Sequence, residues 1–322
     1  MRGGAGLIER ADTGRIALTG ADRRSYLQGL LTNDIAALTS GTGCYAAMLT
    51  AQGRMITDMR VLELGDAIQL DVPRALTQAV YDHLDRFVFN EDVKVEDVTH
   101  AAAEIGLYGP AALDVLVNAR AEGGAPAALY GITRIRIAGV DARLVRSDDF
   151  GVPGFGILAA SADAAAVAAA LINAGAVAVD ESDLETVRIE SGRPRFGADL
   201  DTDIIPLEAG LEARAISRSK GCYVGQEVIV RVQDRGHGKV AKRLVGLTLD
   251  GSAAIPVRGA AIEAAGRAIG RVTSAAWSPA LARPIALGYV HRDFVEAGTP
   301  VLVGGASATV ADLPLVPLQQ RD

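Results

Sequence analysis

Cysteine is nearly absent from this chain: two residues in 322, at positions 44 and 222. So sparse a set excludes a disulfide framework and points to a reducing compartment. Nor can two thiolates hold an iron–sulfur cluster alone, since such clusters usually take four. The four histidines, at 83, 100, 237 and 291, are scattered, and no CxxC, HxxxH or HExxH spacing occurs. A self-contained metal site is therefore not expected. Aromatic residues make up only 4% of the chain, too few for the stacking surfaces by which single-stranded nucleic acid is bound. No apolar run approaches the roughly 20 residues that span a bilayer. The opening M-R-G-G-A-G-L-I-E-R lacks the apolar stretch of a secretory signal. The expectation is a soluble cytoplasmic protein with no membrane contact.

What the chain does have is aliphatic residue, mostly Ala, Val, Leu and Ile, within a 49% hydrophobic composition. That reads as globular, and the length is enough for two or three domains. Strand-like runs at Arg15–Thr19, Cys44–Thr50, Arg54–Leu64 and Ile68–Val72, parted by Gly53 and by Gly65-Asp66, predict a β-meander. Apolar residues at helical spacing predict a helix over Arg74–Phe89, and Asp22 is placed to cap a shorter one carrying Leu27, Leu30 and Leu31. Gly151, Gly154 and Gly156 have the wrong spacing and frame for a dinucleotide fingerprint. Ser182-Asp183-Leu184-Glu185 reads as a capping box opening a helix that Gly192 and Pro194 close. On that helix Glu190 shares the face of Leu184 and Val187. A carboxylate there is desolvated and sits at the negative helix end, so it needs a partner: Arg188, Arg193, or a ligand offering paired N–H donors. After Lys242 the texture becomes short strands between glycines, which predicts a small β-barrel. The fold class is α+β, with a body over residues 1–240, made of two interleaved subdomains, and a barrel over 241–322.

One stretch stands apart. From Arg214 to Arg243 there are eight Lys or Arg and two acids, a local balance of +6 in a chain whose net charge is −7. Such an island suits an anionic ligand. Within it lies K-G-C-Y-V-G-Q-E, Lys220 to Glu227, where glycines flank Cys222, and Arg218 and Lys220 precede it. Nearby cations favour the thiolate, the reactive form of cysteine.

This octapeptide, with Asp234-Arg235-Gly236 after it, resembles the signature of the YgfZ-type folate-binding proteins, relatives of the glycine-cleavage T-protein. The stretches Gly20–Ile35, Ala51–Arg60, Arg188–Gly197, Pro206–Leu211 and Gly270–Pro279 resemble the same superfamily. The resemblance implies a tetrahydrofolate or related folate as cofactor and iron–sulfur client or assembly proteins as partners. Some of those clients modify tRNA; direct nucleic-acid binding is not expected. It implies folate contacts among Glu190, which falls where the T-protein glutamate meets the pterin, and Arg218, Asp58, Asn33, Tyr223, Gln226 and Glu227. It implies a working thiol at Cys222, supported by Lys220. The aminomethyltransferases of the superfamily also carry an aspartate that works on the folate nitrogen; by count its place here falls near Gln78, and an amide cannot supply that charge. Two readings follow from the resemblance: a folate-binding accessory protein of iron–sulfur assembly or repair, or a folate-dependent one-carbon transferase in which Asp71 or Asp58 replaces the missing carboxylate.

Overall fold

Alternating apolar and polar residues lay down strands almost from the start of the chain. The computed structural model describes residues 1–235 and 238–317; Gly236 and His237, named in the sequence reading, lie outside them. β1 (Gly6–Glu9) and β2 (Thr13–Thr19) come first, followed by α1 (Arg23–Leu30). The meander is β3 (Thr42–Leu49), β4 (Met55–Glu63) and β5 (Ile68–Pro73), then α2 (Thr77–Arg86) and β6 (Lys94–Asp97). Next are β7 (Ala102–Tyr108), α3 (Ala112–Asn118), β8 (Ile132–Ile137), β9 (Val140–Ser147), β10 (Gly154–Ala160), α4 (Ala164–Asn173) and β11 (Val177–Ala178). Three helices, α5 (Glu181–Glu190), α6 (Glu212–Ala215) and α7 (Gln226–Val230), lead to the last strands. These are β12 (Lys242–Leu249), β13 (Ala261–Ala264), β14 (Arg267–Ser278), β15 (Arg283–His291), β16 (Pro300–Val303) and β17 (Ala306–Ala311).

The strands form two open sheets and a closed barrel. One sheet has the order β3-β4-β5-β2-β6, the other β11-β1-β7-β10-β9-β8, and the barrel runs β12-β15-β14-β13-β16-β17. The α+β body and the terminal barrel expected from the sequence are both present. The five-stranded sheet buries Ile16, Leu70 and Val61 against Leu27 of α1 and Val80 and Leu84 of α2. The six-stranded sheet buries Ile105, Leu107 and Ile157 against Val115 of α3 and Val167 of α4. Val245, Leu247 and Val272 fill the barrel. A further core joins these parts, packing Tyr45, Leu49 and Met55 of the meander with Ile189, Tyr223, Leu287 and Tyr289.

Local details depart from the sequence reading in two places. The cap of α5 is Asp180, whose side chain accepts from the Asp183 N–H at 2.9 Å, with Asp183 returning the bond. Asp180 precedes the helix by one residue and so reaches a free N–H; Ser182 already lies inside the first turn, and its hydroxyl donates to Asp180. Asp22 stands at the start of α1 but its carboxylate accepts from the Asp92 N–H (2.8 Å), tying α1 to the strand before β6. Among the described residues no helix is long and apolar enough to cross a membrane.

Candidate functional site

The two body sheets meet across charge. On β4 Asp58 and Arg60 are two residues apart and so point the same way. Arg60 donates to Asp71 (2.7 Å), Glu104 (2.6 Å) and Asp149 (3.0 Å). Arg15 lies 3.4 Å from Glu104, and Arg10 reaches Asp149 at 3.2 Å and Asp12 at 2.9 Å. Burial pushes the Glu104 carboxyl up, but Arg60, Arg10 and Arg15 pull it down to about 2. Asp71 is held above its ordinary value by burial, against the pull of Arg60.

This network floors a cavity of about 400 Å³, within the range of small-molecule sites. Its walls include Tyr45, Asp58, Asp71, Asp149, Phe150, Arg188, Arg195, Phe196 and Arg214. Tyr45 donates its hydroxyl to Asp58 Oδ2 at 2.6 Å. The Arg214 guanidinium stacks 4.8 Å above the Tyr45 ring and donates to Asp148 and to the Tyr130 hydroxyl, both at 3.2 Å. Three of the cavity's aspartates are matched to arginine: Asp12 to Arg10, Asp71 to Arg60, and Asp149 to both. Of the cavity's four aspartates, Asp58 is the one with no arginine at ion-pair distance among the described residues. Burial raises its pKa, opposed by the Tyr45 hydrogen bond and by the more distant Arg214.

The residues singled out from sequence distribute between this cavity and a second place. Asp58 lines the cavity. Asn33 supports it from behind: its amide donates to the backbone carbonyls of Tyr45 (2.8 Å) and Arg214 (3.2 Å), fastening β3 to α6. Glu190 is not among the lining residues. It is buried, and it accepts from Arg2 Nε (2.7 Å) and the Ser278 hydroxyl (2.5 Å). The buried carboxylate thus has a cationic partner, but neither of those expected. Arg188 is engaged by Glu185 and Asp199, and Arg193 by Asp148.

The octapeptide forms the second place, against the end of α1. Lys220 is buried, and its ammonium donates to the carbonyls of Gln28 (2.7 Å), Leu31 (2.5 Å) and Asn33 (2.8 Å). These three carbonyls, at and just past the end of α1, take up the Lys220 protons and turn its ammonium inward. Tyr223 is buried beneath it, 5.0 Å from the Lys220 Nζ. Gly225, at φ 83°, passes so close to the β3–β4 turn that a Cβ would lie 2.5 Å from the Thr50 carbonyl. Gly225 therefore serves a close approach of two chain segments. Cys222, Arg218 and Glu227 are exposed, Gln226 half-buried, and none of them lines the cavity. Nor is the cationic island one surface: Arg214 turns to the cavity, Lys220 inward, Lys242 toward Glu208 and Arg243 toward Glu212. Tyr45, Arg214, Arg60 and Asp149 were not found from sequence. The available signal was the spacing of Asp58 and Arg60, two residues apart within a strand whose other face carries Met55, Met59 and Val61. Among the described residues no cluster of three or more His, Cys, Asp or Glu could hold a metal.

Comparison with known proteins covers the whole of this architecture. Residues 1–220 match the model described as the GCVT N-terminal domain, and residues 242–316 that of the glycine cleavage T-protein C-terminal barrel domain. An aminomethyltransferase of Rubrobacter xylanophilus is 30% identical over 315 residues, 98% of this chain and 83% of its own. One from Streptomyces avermitilis is 32% identical over 307 residues, 93% of this chain and 82% of its own. The crystal structure of glycine cleavage system aminomethyltransferase T from Bartonella henselae superposes with a TM-score of 0.86 at 25% identity, covering 99% of this chain and 88% of that one.

Proposed function

Because this chain belongs to the glycine-cleavage T-protein family, we propose that it binds tetrahydrofolate in the cavity between its body sheets and transfers a one-carbon unit there. The observation that carries this reading is Asp58, the cavity carboxylate with no arginine at ion-pair distance among the described residues. Unlike Asp71 and Asp149, it is left to act on a ligand. The cavity fits a folate in size, in its aromatic walls at Phe150 and Phe196, and in offering both carboxylates and guanidinium groups. When bound, a reduced folate would supply the ring nitrogen that takes up the carbon; the carbon's bond to the donor breaks, and its amine leaves as ammonia as the methylene bridge closes. Asp58 stands to accept the proton which that nitrogen loses, and its burial favours this by raising its basicity. Tyr45 holds the carboxylate in place, while Phe150 and Phe196 limit the access of water.

The purified protein, given tetrahydrofolate and an aminomethyl donor, is expected to form methylene-tetrahydrofolate. Asp58→Asn should slow that reaction at least about a hundredfold, the usual worth of a general base. A wild-type protein that makes no product would overturn this reading.

A second reading, the accessory role of the YgfZ type in iron–sulfur assembly, including for tRNA-modifying enzymes, has its own support. Cys222 is exposed between the buried Lys220 and Tyr223, which suits a thiol that works on a partner. Gln78, the count-matched place of the transferase aspartate, is exposed on α2 and donates to Asp82. On this reading no methylene-tetrahydrofolate forms, folate still binds, and Cys222→Ser lowers iron–sulfur enzyme activity in cells. Full rescue by Cys222→Ser would remove it.

A further inference from the structure

Phenylalanine is scarce in this chain, six residues in 322, and its placement is uneven. Phe150 and Phe155 are buried, and Phe196 and Phe294 half-buried. The other two are exposed, Phe87 by 41% and Phe89 by 76%, with only Val88 between them. Both stand in the turn between α2 and β6. Two neighbouring rings left in water forgo one of the largest apolar gains a side chain can make.

The turn holds the rings out on an ordered frame. The Phe87 N–H donates to the Leu84 carbonyl (3.0 Å) and the Val88 N–H to that of Asp85 (3.3 Å). Glu91 Oε2 accepts from the Phe89 N–H at 2.9 Å and from the Asn90 N–H at 3.1 Å. Asp92 fastens the far side of the turn to the start of α1: its carboxylate accepts from the Ala21 N–H (2.9 Å), and its own N–H donates to Asp22 (2.8 Å). The His83 ring packs 5.0 Å from that of Phe87.

The setting is acidic. From Asp82 to Asp97 six exposed acids, Asp82, Asp85, Glu91, Asp92, Glu96 and Asp97, face two exposed cations, Arg86 and Lys94, a balance of −4. Lys94 is already paired with Glu96 at 2.8 Å. Among the described residues no Lys or Arg stands at ion-pair distance from Asp85, Glu91 or Asp92. Such a surface repels nucleic acid and anionic lipid, and it suits a cation with apolar neighbours. Arginine meets both demands, because a guanidinium stacks on a ring face and also pairs with a carboxylate. A second copy of this chain is a poor complement, since Arg214, Lys220, Lys242 and Arg243 turn to separate partners and its cationic stretch gathers on no single surface.

We propose that Phe87 and Phe89, flanked by Asp85, Glu91 and Asp92, are a docking surface for a protein partner that presents an arginine-rich, partly apolar segment. This surface is separate from the folate cavity. The segment before α2 lines the cavity with Arg74 and Ala75, whereas the rings follow the other end of that ten-residue helix, about 15 Å along its axis.

The test uses the whole protein and three labelled peptides of about twelve residues, repeats of Arg-Gly-Leu, Lys-Gly-Leu and Glu-Gly-Leu, titrated by fluorescence anisotropy at low and high salt. The arginine peptide should bind most tightly, the lysine peptide at least about threefold more weakly, and the glutamate peptide not at all. Phe89→Ser should weaken binding of the arginine peptide at least about fivefold. Asp85→Lys should do as much at low salt, with the difference shrinking at high salt. Glu296→Lys makes the same charge change at an exposed place beside the barrel and should alter binding less than about twofold. Circular dichroism confirms that the variants are folded. No binding of the arginine peptide, an affinity that survives Phe89→Ser, or an equal loss in Glu296→Lys and Asp85→Lys overturns the site. Equal binding of the arginine and lysine peptides overturns the choice of arginine. Self-association of the wild type in sedimentation velocity, abolished by Phe89→Ser, would make a second copy the occupant and overturn the foreign partner.

Discussion

Lys220 turns its ammonium into the protein, where the carbonyls of Gln28, Leu31 and Asn33 take its protons. Burial pushes its pKa down to about 8, with Asp34 and Cys44 pulling the other way. The residue closes the C-terminal end of α1, and Lys220→Met would keep the aliphatic stem while leaving those carbonyls bare. We expect a loss of about 2–3 kcal/mol in urea denaturation, near the cost of unsatisfied buried groups. The two thiols should also part company. Burial raises the Cys44 pKa to about 12 despite the nearby Lys220, whereas Cys222 is exposed. Iodoacetamide at pH 8 should therefore label Cys222 at least about tenfold faster, measured by peptide mass spectrometry; equal rates would mean that Cys222 is shielded in solution. At this scale the sequence was legible for what was unusual, the octapeptide, and less so for which way its side chains turn. Lys220 and Cys222 are two residues apart in the chain but on opposite sides of it, one buried and the other exposed.

Between the sheets, Glu104 of β7 draws Arg60 and Arg15 across from the other sheet. Its pKa of about 2 lies below the unfolded value near 4.3. A depressed acid contributes stability that is complete above the unfolded value and is lost as pH falls toward 2. Asp58 and Asp71, both raised, contribute in the opposite sense on acidification. Glu104→Gln leaves buried guanidinium groups short of an anion. It should cost about 3–5 kcal/mol at pH 7 and flatten the acid limb of a stability–pH curve below pH 4; an unchanged limb would show that other carboxylates set acid stability. The meander was readable because its strands alternate and its turns carry glycine. β1, β10 and β13 were not read as strands. β1 and β13 are four residues each, too short for a period to register. β10 contains glycines that look like turn signals, yet Gly156 is a strand residue lying under Glu104, where a Cβ would sit 2.3 Å from the carboxylate oxygen. The close approach that requires glycine leaves no trace in a pattern of apolar residues.

A buried set of charges runs from the body into the barrel. Arg188 of α5 donates to Asp199 (2.6 Å) and to Ser274 of β14 (2.8 Å), while Asp199 also accepts from Thr273 (2.5 Å) and Ser274 (2.8 Å). Arg188 lines the cavity as well, so the same side chain serves the site and the junction. Asp199→Ala should destabilise the protein by about 3–5 kcal/mol. By calorimetry, one melting transition should become two as the barrel uncouples; a single, merely lowered transition would show that the shared apolar core suffices. The barrel was legible as short strands at glycine spacing. The junction was not, since its partners across body and barrel are separated by 74 to 86 positions.

The way the chain passes between its sheets has a consequence for the order of its synthesis. All five strands of the β3-β4-β5-β2-β6 sheet lie between residues 13 and 97, so that sheet can assemble while the ribosome is still making the rest. β1, although made earlier, must wait for β7 and then for β11 at residue 177 before both its edges are paired. Arg15 and Arg60 are in place before Glu104 exists to receive them, and Tyr45 before Arg214. During translation the nascent half is thus a sheet with exposed guanidinium groups on one face, and the cavity closes only when the second half of the chain is laid over it.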